Sequence, residues 1–379
     1  MRKRILKILE CPNTHRNSLE IFATELKRGN SISYNVVESE MMEDDDVISG
    51  VIVNRNGGYA YPIFKSVALL LSDIDTDREF YVELLQFLRS SCPASFAICI
   101  DSTISSLKTT ESNWRGEWNR EEMHFFDKDV QSEELRKSFL RKIKLDPLWN
   151  LYISRSRNIT QKINLPFIIN KYILEVGSGN SRTVSWIFHP ALYHFHYIGS
   201  DISFKRLLLA KQVVPEGDYI QCSALNLPFK ADTFAAILGF GVFHHLPDPI
   251  EAIDNCAAKI KLDGYLAFHE PIQKPKLLSN SNFIKKLLNR YDHSKHDNEI
   301  NPNDTMSELI KLNFKTIYKK YENSLFRQLA QYLIERIPKA QKQRWIFEII
   351  MLLDEIFLVA LCRISKRFGP SAILLVAKK

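Results

Sequence analysis

Short apolar runs bounded by polar and turn residues recur through the second half of the chain, near 172, 197, 218, 235, 264, 314 and 371. Runs of this length read as strands, seven in all, most of them buried. Upstream the period changes. Phe80, Leu84, Leu85 and Leu88 recur at helical spacing, which predicts an amphipathic connector over Asp77 to Ser90. The segment N-W-R-G-E-W-N-R-E-E-M-H-F-F-D at 113–127 follows, rich in aromatics with paired acids. Its Trp114, Trp118 and Phe125 read as core anchors ahead of substrate contacts. From Arg136 basic residues interleave with Leu140, Ile143, Leu148, Trp149 and Tyr152, the pattern of a helix with a solvated basic face. Residues 1 to about 72 read as a separate small β-rich unit. Between the sixth and seventh strands two helices are expected, Leu325 to Lys339 and Arg344 to Ile364. Glu348, Asp354 and Glu355 break the second, so it reads as a buried lid, or as an interfacial helix admitting a lipid, and not as a membrane span.

A length of 379 residues suggests two domains, and 45% hydrophobic with 25% charged residues is ordinary globular composition. The net charge of +7 is local: 136–171 holds nine basic residues against Asp146 alone. Cys11, Cys92, Cys99, Cys222, Cys256 and Cys362 lack the spacing of a disulfide framework, which points to reduced thiols and a cytoplasmic location. Lys7 and Glu10 interrupt the first apolar run, so no targeting segment is expected.

The candidate chemistry centres on Y-I-L-E-V-G-S-G-N-S-R at 172–182, a strand running into a turn where Gly177 and Gly179 let backbone approach a ligand. Glu175 at the strand end suits an amino group and would repel a pyrophosphate. Arg182 stands where a dinucleotide fingerprint needs its third glycine, so a dinucleotide is disfavoured. Asp201 ends the second strand, 24 residues after Gly177, where a carboxylate can accept from ribose hydroxyls. L-P-F at 227–229, A-A-I-L-G-F-G at 235–241, H-H-L-P-D-P at 244–249 and K-L-D-G-Y-L-A-F-H-E-P at 261–271 follow.

The order and spacing of these blocks resemble the class I S-adenosylmethionine-dependent methyltransferases, particularly the small-molecule branch that includes quinone C-methyltransferases. The resemblance implies an α/β fold, a Rossmann-like seven-stranded sheet over 164–379 with helical lid insertions at 273–313 and 323–368, a helical cover at 73–163 and the β-rich domain at 1–72. It implies S-adenosyl-L-methionine as cofactor. Glu175 would take its methionine amino group, Gly177, Ser178 and Gly179 its close backbone contacts, and Asp201 with Ile202 its ribose. Ser223 and Ala224 would lie by the adenine, with Ser223 where the family often has aspartate. Ser181 replaces a frequent third glycine, and Ala235 a usual aspartate, the latter a packing change.

Cys11-Pro12, the acidic loop Glu43 to Asp46 and the apolar stretch 50–71 resemble the zinc-ribbon-like domain fused ahead of some methyltransferases and related to the small activator of tRNA methyltransferases. Where that domain has its other three cysteines this chain has Thr14, Asn54 and Gly57, so no metal is expected, a structural zinc needing four nitrogen or sulfur ligands. His293 and His296 read as part of a solvated loop.

Methyl transfer from a sulfonium is a direct displacement, so alignment and exclusion of water supply much of the acceleration without a metal. A base matters only where the acceptor must lose a proton. His245, then His244, are the candidates, after the fourth strand; His269 and Glu270 end the fifth. A packing role and a substrate role are equally compatible with the two adjacent histidines. A small-molecule or lipid-like acceptor is expected, with peripheral membrane contact left open. Nucleic acid is disfavoured because no N-P-P-Y type sequence follows the fourth strand. A catalytically silent partner protein and an RNA-modifying enzyme are the alternatives.

Overall fold

The computed structural model describes residues 1–16, 18–71, 78–110, 114–127, 169–181, 194–272, 300–322 and 372–379, with isolated positions besides. The basic segment up to residue 168, the loop with His293 and His296, and all but isolated positions of the two helices expected between 325 and 364 lie outside the described residues.

Among the described residues of the second half the strands are β6 (Tyr172–Val176), β7 (His196–Asp201), β8 (Asp218–Gln221), β9 (Phe234–Phe240), β10 (Ile260–Pro271), β11 (Lys315–Glu322) and β12 (Ala372–Lys378). The central ones are parallel. Leu174 sits opposite Ile198 on one side and Ile237 on the other, and such strands read as near-continuous apolar runs because both faces are covered. β12 runs antiparallel between β10 and β11. Side chains mark the helix starts. Ser203 accepts from Arg206 N to cap α4 (Phe204–Val213), and Asp248 accepts from Glu251 N to cap α5 (Pro249–Lys259), which has proline in its first turn. Asn301 caps α6 (Pro302–Lys311) in the same way.

The N-terminal strands join the same sheet. β1 (Glu20–Arg28), β2 (Ser31–Val37), β3 (Asp46–Asn54), β4 (Tyr59–Phe64) and β5 (Val67–Leu69) form an antiparallel array that continues the main sheet. The junction is a parallel pairing of β5 with β8, Val67 opposite Tyr219 and Leu69 opposite Gln221. The result is one twelve-stranded sheet, in the order β11-β12-β10-β9-β6-β7-β8-β5-β4-β3-β1-β2. Val67, Ala68 and Leu69 are fully buried apolar residues, and pairing them with β8 satisfies the backbone groups of what would otherwise be a buried edge. Polar contacts also tie the N-terminal residues to the rest of the chain: Asp218 accepts from Arg2 N at 2.7 Å, and Glu10 accepts from Lys259 Nζ at 2.7 Å.

Cys11, Thr14, Asn54 and Gly57 lie together. Asn54 Nδ2 donates to Thr14 Oγ1 at 2.9 Å, Gly57 N donates to Asn54 Oδ1 at 3.0 Å, and the Cys11 sulfur is 3.1 Å from the Tyr61 hydroxyl. Burial pushes the Cys11 thiol up, but hydrogen bonds with Thr14, Tyr61 and Asn54 outweigh it and hold the thiol below its usual value.

Two helices, α1 (Arg78–Arg89) and α2 (Ala94–Thr109), pack on the N-terminal strands. Tyr81 donates to Leu69 O at 2.9 Å, and Thr103 accepts from Ala60 N at 2.7 Å. A third helix, α3 (Trp114–Asp127), lies over the carboxyl ends of the central strands.

Candidate functional site

The chain reverses direction across the sheet between β6 and β9, since β6 is followed on one side by β7 and on the other by β9. Open α/β sheets bind ligands outside the carboxyl ends of strands at such a switch point. A cavity of about 420 Å³ opens there. Glu175, Gly177, Ser178, Gly179, Asp201, Ile202, Ser223 and Ala224 all line it, which brings together the whole set of expected cofactor residues.

The turn after β6 is built from left-handed backbone. Gly177 has φ +62° and Gly179 φ +53°. The two glycines serve different ends. A Cβ at 177 would collide with the Val242 side chain, so this glycine is needed for packing against the loop after β9. A Cβ at 179 would meet only Arg206 Nη1, at 3.7 Å, so here the open side belongs to the cavity. Ser181 also has positive φ, 55°, at the position of the frequent third glycine. Its hydroxyl offsets that backbone cost: it is buried and lies 2.7 Å from the Tyr197 hydroxyl.

Tyr197 in turn donates to Glu175 Oε2 at 2.5 Å. Burial pushes the Glu175 carboxyl up to about 8; the Tyr197 bond opposes this, and the nearby Asp201 charge adds to it. Asp201 Oδ2 accepts from Gly179 N and Oδ1 from Ser203 N, each at 2.8 Å. One carboxylate therefore ties the glycine turn to the start of α4 while lining the cavity. Burial raises its pKa, against the Ser203 and Gly179 amides and the Arg206 charge. Ser178 Oγ is buried with no hydrogen-bond partner among the described residues. The Ser223 hydroxyl accepts from Leu225 N at 3.2 Å, so it supports its own turn as well as lining the cavity.

The histidines separate. His245 and His269 line the cavity, but His244 does not. His244 Nδ1 is 2.7 Å from Glu270 Oε2, and Glu270 also accepts from Val242 N at 2.9 Å and Phe243 N at 3.1 Å. Burial pushes the Glu270 carboxyl up, but the His244 imidazole and these amides outweigh it and hold the group below its usual value. The His244 ring thus pins the loop after β9 to the end of β10.

Sequence reasoning missed the roof. Trp118, expected as a core anchor, lines the cavity, and its indole donates to His245 O at 3.0 Å. Asn119 and Glu122 line it too, and both are buried. At the far end of α3, Asp127 accepts from Ser203 Oγ at 2.5 Å and pairs with Lys205 at 3.0 Å. The helix is fastened at one end to the His245 loop and at the other to the start of α4. The aromatic and acidic mix of 113–127 marked the segment, but periodicity could not say which face meets a ligand.

Acidic groups on the cavity wall and an unsatisfied buried hydroxyl fit a ligand carrying amino and ribose hydroxyl groups. Residues 174–268 match a family model described as a methyltransferase domain. No curated protein matches the chain. Solved structures similar to it include Streptomyces coelicolor geranyl diphosphate C-methyltransferase, in complex with Mg2+, geranyl diphosphate and S-adenosylhomocysteine. The two are 10% identical with TM-score 0.41, over 59% of this chain and 76% of that one. Phosphoethanolamine N-methyltransferase 2 of Haemonchus contortus, in complex with S-adenosylmethionine, is 13% identical with TM-score 0.42, over 61% of this chain and 52% of that one. Among the described residues no helix is long and apolar enough to cross a membrane. The domain match falls on the very strands whose ends wall the cavity, and the chain carries a methyltransferase domain there.

Proposed function

We propose that this chain is an S-adenosylmethionine-dependent methyltransferase acting on a small-molecule or lipid-like acceptor, in the manner of the small-molecule branch that the order and spacing of its sequence blocks resemble. The observation that carries this is the roof: Trp118, Asn119 and Glu122 of α3 cover the carboxyl ends of β6, β7 and β9 and leave a cavity of about 420 Å³. That volume lies in the range of about 300–1,000 Å³ common for small ligands, and a folded RNA would have to displace the helix. Glu175, the turn from Gly177 to Gly179, Asp201, Ile202, Ser223 and Ala224 would hold the cofactor. When bound, it supplies a methyl group on a sulfonium, whose carbon–sulfur bond breaks as the acceptor bonds to the carbon. The chain contributes alignment and exclusion of water. His245 is the candidate base for an acceptor that must lose a proton.

The proposed division is an N-terminal unit at 1–72, a cover at 73–163 and a transfer domain at 164–379 with its seven strands. The gathering of Cys11, Thr14, Asn54 and Gly57 supports a metal-free zinc-ribbon-like origin for the first. A reducing, cytoplasmic location accords with thiols such as Cys256, which is wholly buried and pushed up to about 12 by burial.

The test is transfer of radiolabelled methyl from S-adenosylmethionine by the purified protein into fractionated extracts of the source cell. Label in the small-molecule or lipid fraction is expected. Label confined to RNA would overturn the reading.

A further inference from the structure

Glu122 occupies an unusual position. It lies on the buried face of α3 at 5% exposure and lines the cavity, yet neither carboxylate oxygen has a hydrogen bond among the described residues. A buried carboxylate without a hydrogen-bonded partner is costly, and nothing among the described residues packed on α3 accounts for it. Among the described residues the His245 ring faces it, with Nδ1 3.6 Å from Glu122 Oε2. That is about 0.4 Å beyond hydrogen-bond reach, a gap of the kind that closes when an active site fills. One turn away on the same helix, Trp118 donates to the His245 carbonyl, so α3 grips both the backbone and the ring side of this residue.

We propose that Glu122 is the positioning residue of His245: its carboxylate accepts from Nδ1–H, which leaves the Nε2 lone pair for an acceptor hydroxyl. The acceptor class is then a phenol, enol or alcohol. As transfer proceeds the acceptor O–H bond breaks, its proton passes to His245 Nε2, and the oxygen electron pair forms the new bond to the methyl carbon. The imidazolium so formed keeps its Nδ1–H on the Glu122 carboxylate and returns the Nε2 proton to solvent after product leaves. Glu122 touches neither reacting atom and works through the ring.

This rests on the cavity being the transfer site, but its test does not need the acceptor. Full-length protein carrying nitrogen-15 histidine, with S-adenosylhomocysteine added, is studied by imidazole nitrogen spectra above the histidine titration range. His245→Asn assigns the signals. The expected result is His245 in the Nδ1–H form, with a switch to the Nε2–H form in Glu122→Met, which keeps volume but accepts nothing. Glu122→Gln retains an acceptor oxygen and should keep the wild-type form. His244, held by Glu270, serves as the internal reference for an intact loop. A wild-type His245 already in the Nε2–H form, or one unmoved in Glu122→Met while His244 is unchanged, overturns the proposal. Label transfer to a small molecule would survive that result, so the two failures are distinct.

Discussion

The Tyr197 hydroxyl and the Glu175 carboxylate share a 2.5 Å hydrogen bond beneath the glycine turn. Burial still dominates, with Glu175 pushed up to about 8 against an ordinary 4.5. Near neutral pH the group is therefore largely protonated before ligand arrives, and the ammonium of the cofactor favours its ionised form. Binding should release up to about one proton between pH 6 and 8, and affinity should rise with pH over that window. Calorimetry in buffers of different ionisation enthalpy measures the release; heats independent of buffer would remove Glu175 from the amino-group role. The sign for the ligand-free fold is opposite. A raised carboxyl contributes stability that is fully present below about 4.5 and is lost as pH rises through about 8.

Asp201 holds two backbone amides and faces the cavity, so its replacement acts twice. Asp201→Ala should weaken S-adenosylmethionine binding by about 1–3 kcal/mol and lower Tm as well. Affinity that does not change would exclude the ribose role.

Adjacent histidines should give opposite phenotypes. His245→Ala should lower turnover by roughly a hundredfold with cofactor affinity nearly unchanged. His244→Ala should cost about 1.5–3 kcal/mol of stability, since it strips a partner from the fully buried Glu270. Thermal denaturation of the pair beside their turnover checks this, and equal stability losses would reduce His245 to packing.

The N-terminal unit should fold without zinc. Thr14 and Asn54 already bond to one another where thiolates would meet a metal, and Gly57 carries no side chain. Elemental analysis of purified protein should find no stoichiometric metal, and chelator should leave Tm unchanged.

The central strands were readable because parallel strands covered on both faces are continuous apolar runs, as in Y-I-L-E-V and F-A-A-I-L-G-F. The gathering of these residues at one cavity was readable because short spacings fix it: Gly177 to Gly179 within one turn, Asp201 at the end of the neighbouring strand. Three features were not. The face of α3 that carries Trp118 and Glu122 depends on where the helix docks, which its mixed pattern does not specify. Which of His244 and His245 faces inward depends on a short turn after β9. The β5–β8 pairing depends on contact between strands far apart in sequence, and no local signal encodes it.

That pairing also constrains how the chain matures. β1 to β5 can pair with one another as soon as they leave the ribosome, but Val67 waits for Tyr219, roughly 150 residues later. Until then β5 presents a buried-type apolar edge with open amides to whatever is nearby. Synthesis from the amino end therefore produces a half-sheet whose free margin is closed only when the methyl-transfer strands arrive, and the pace of translation across that interval governs exposure to misassembly.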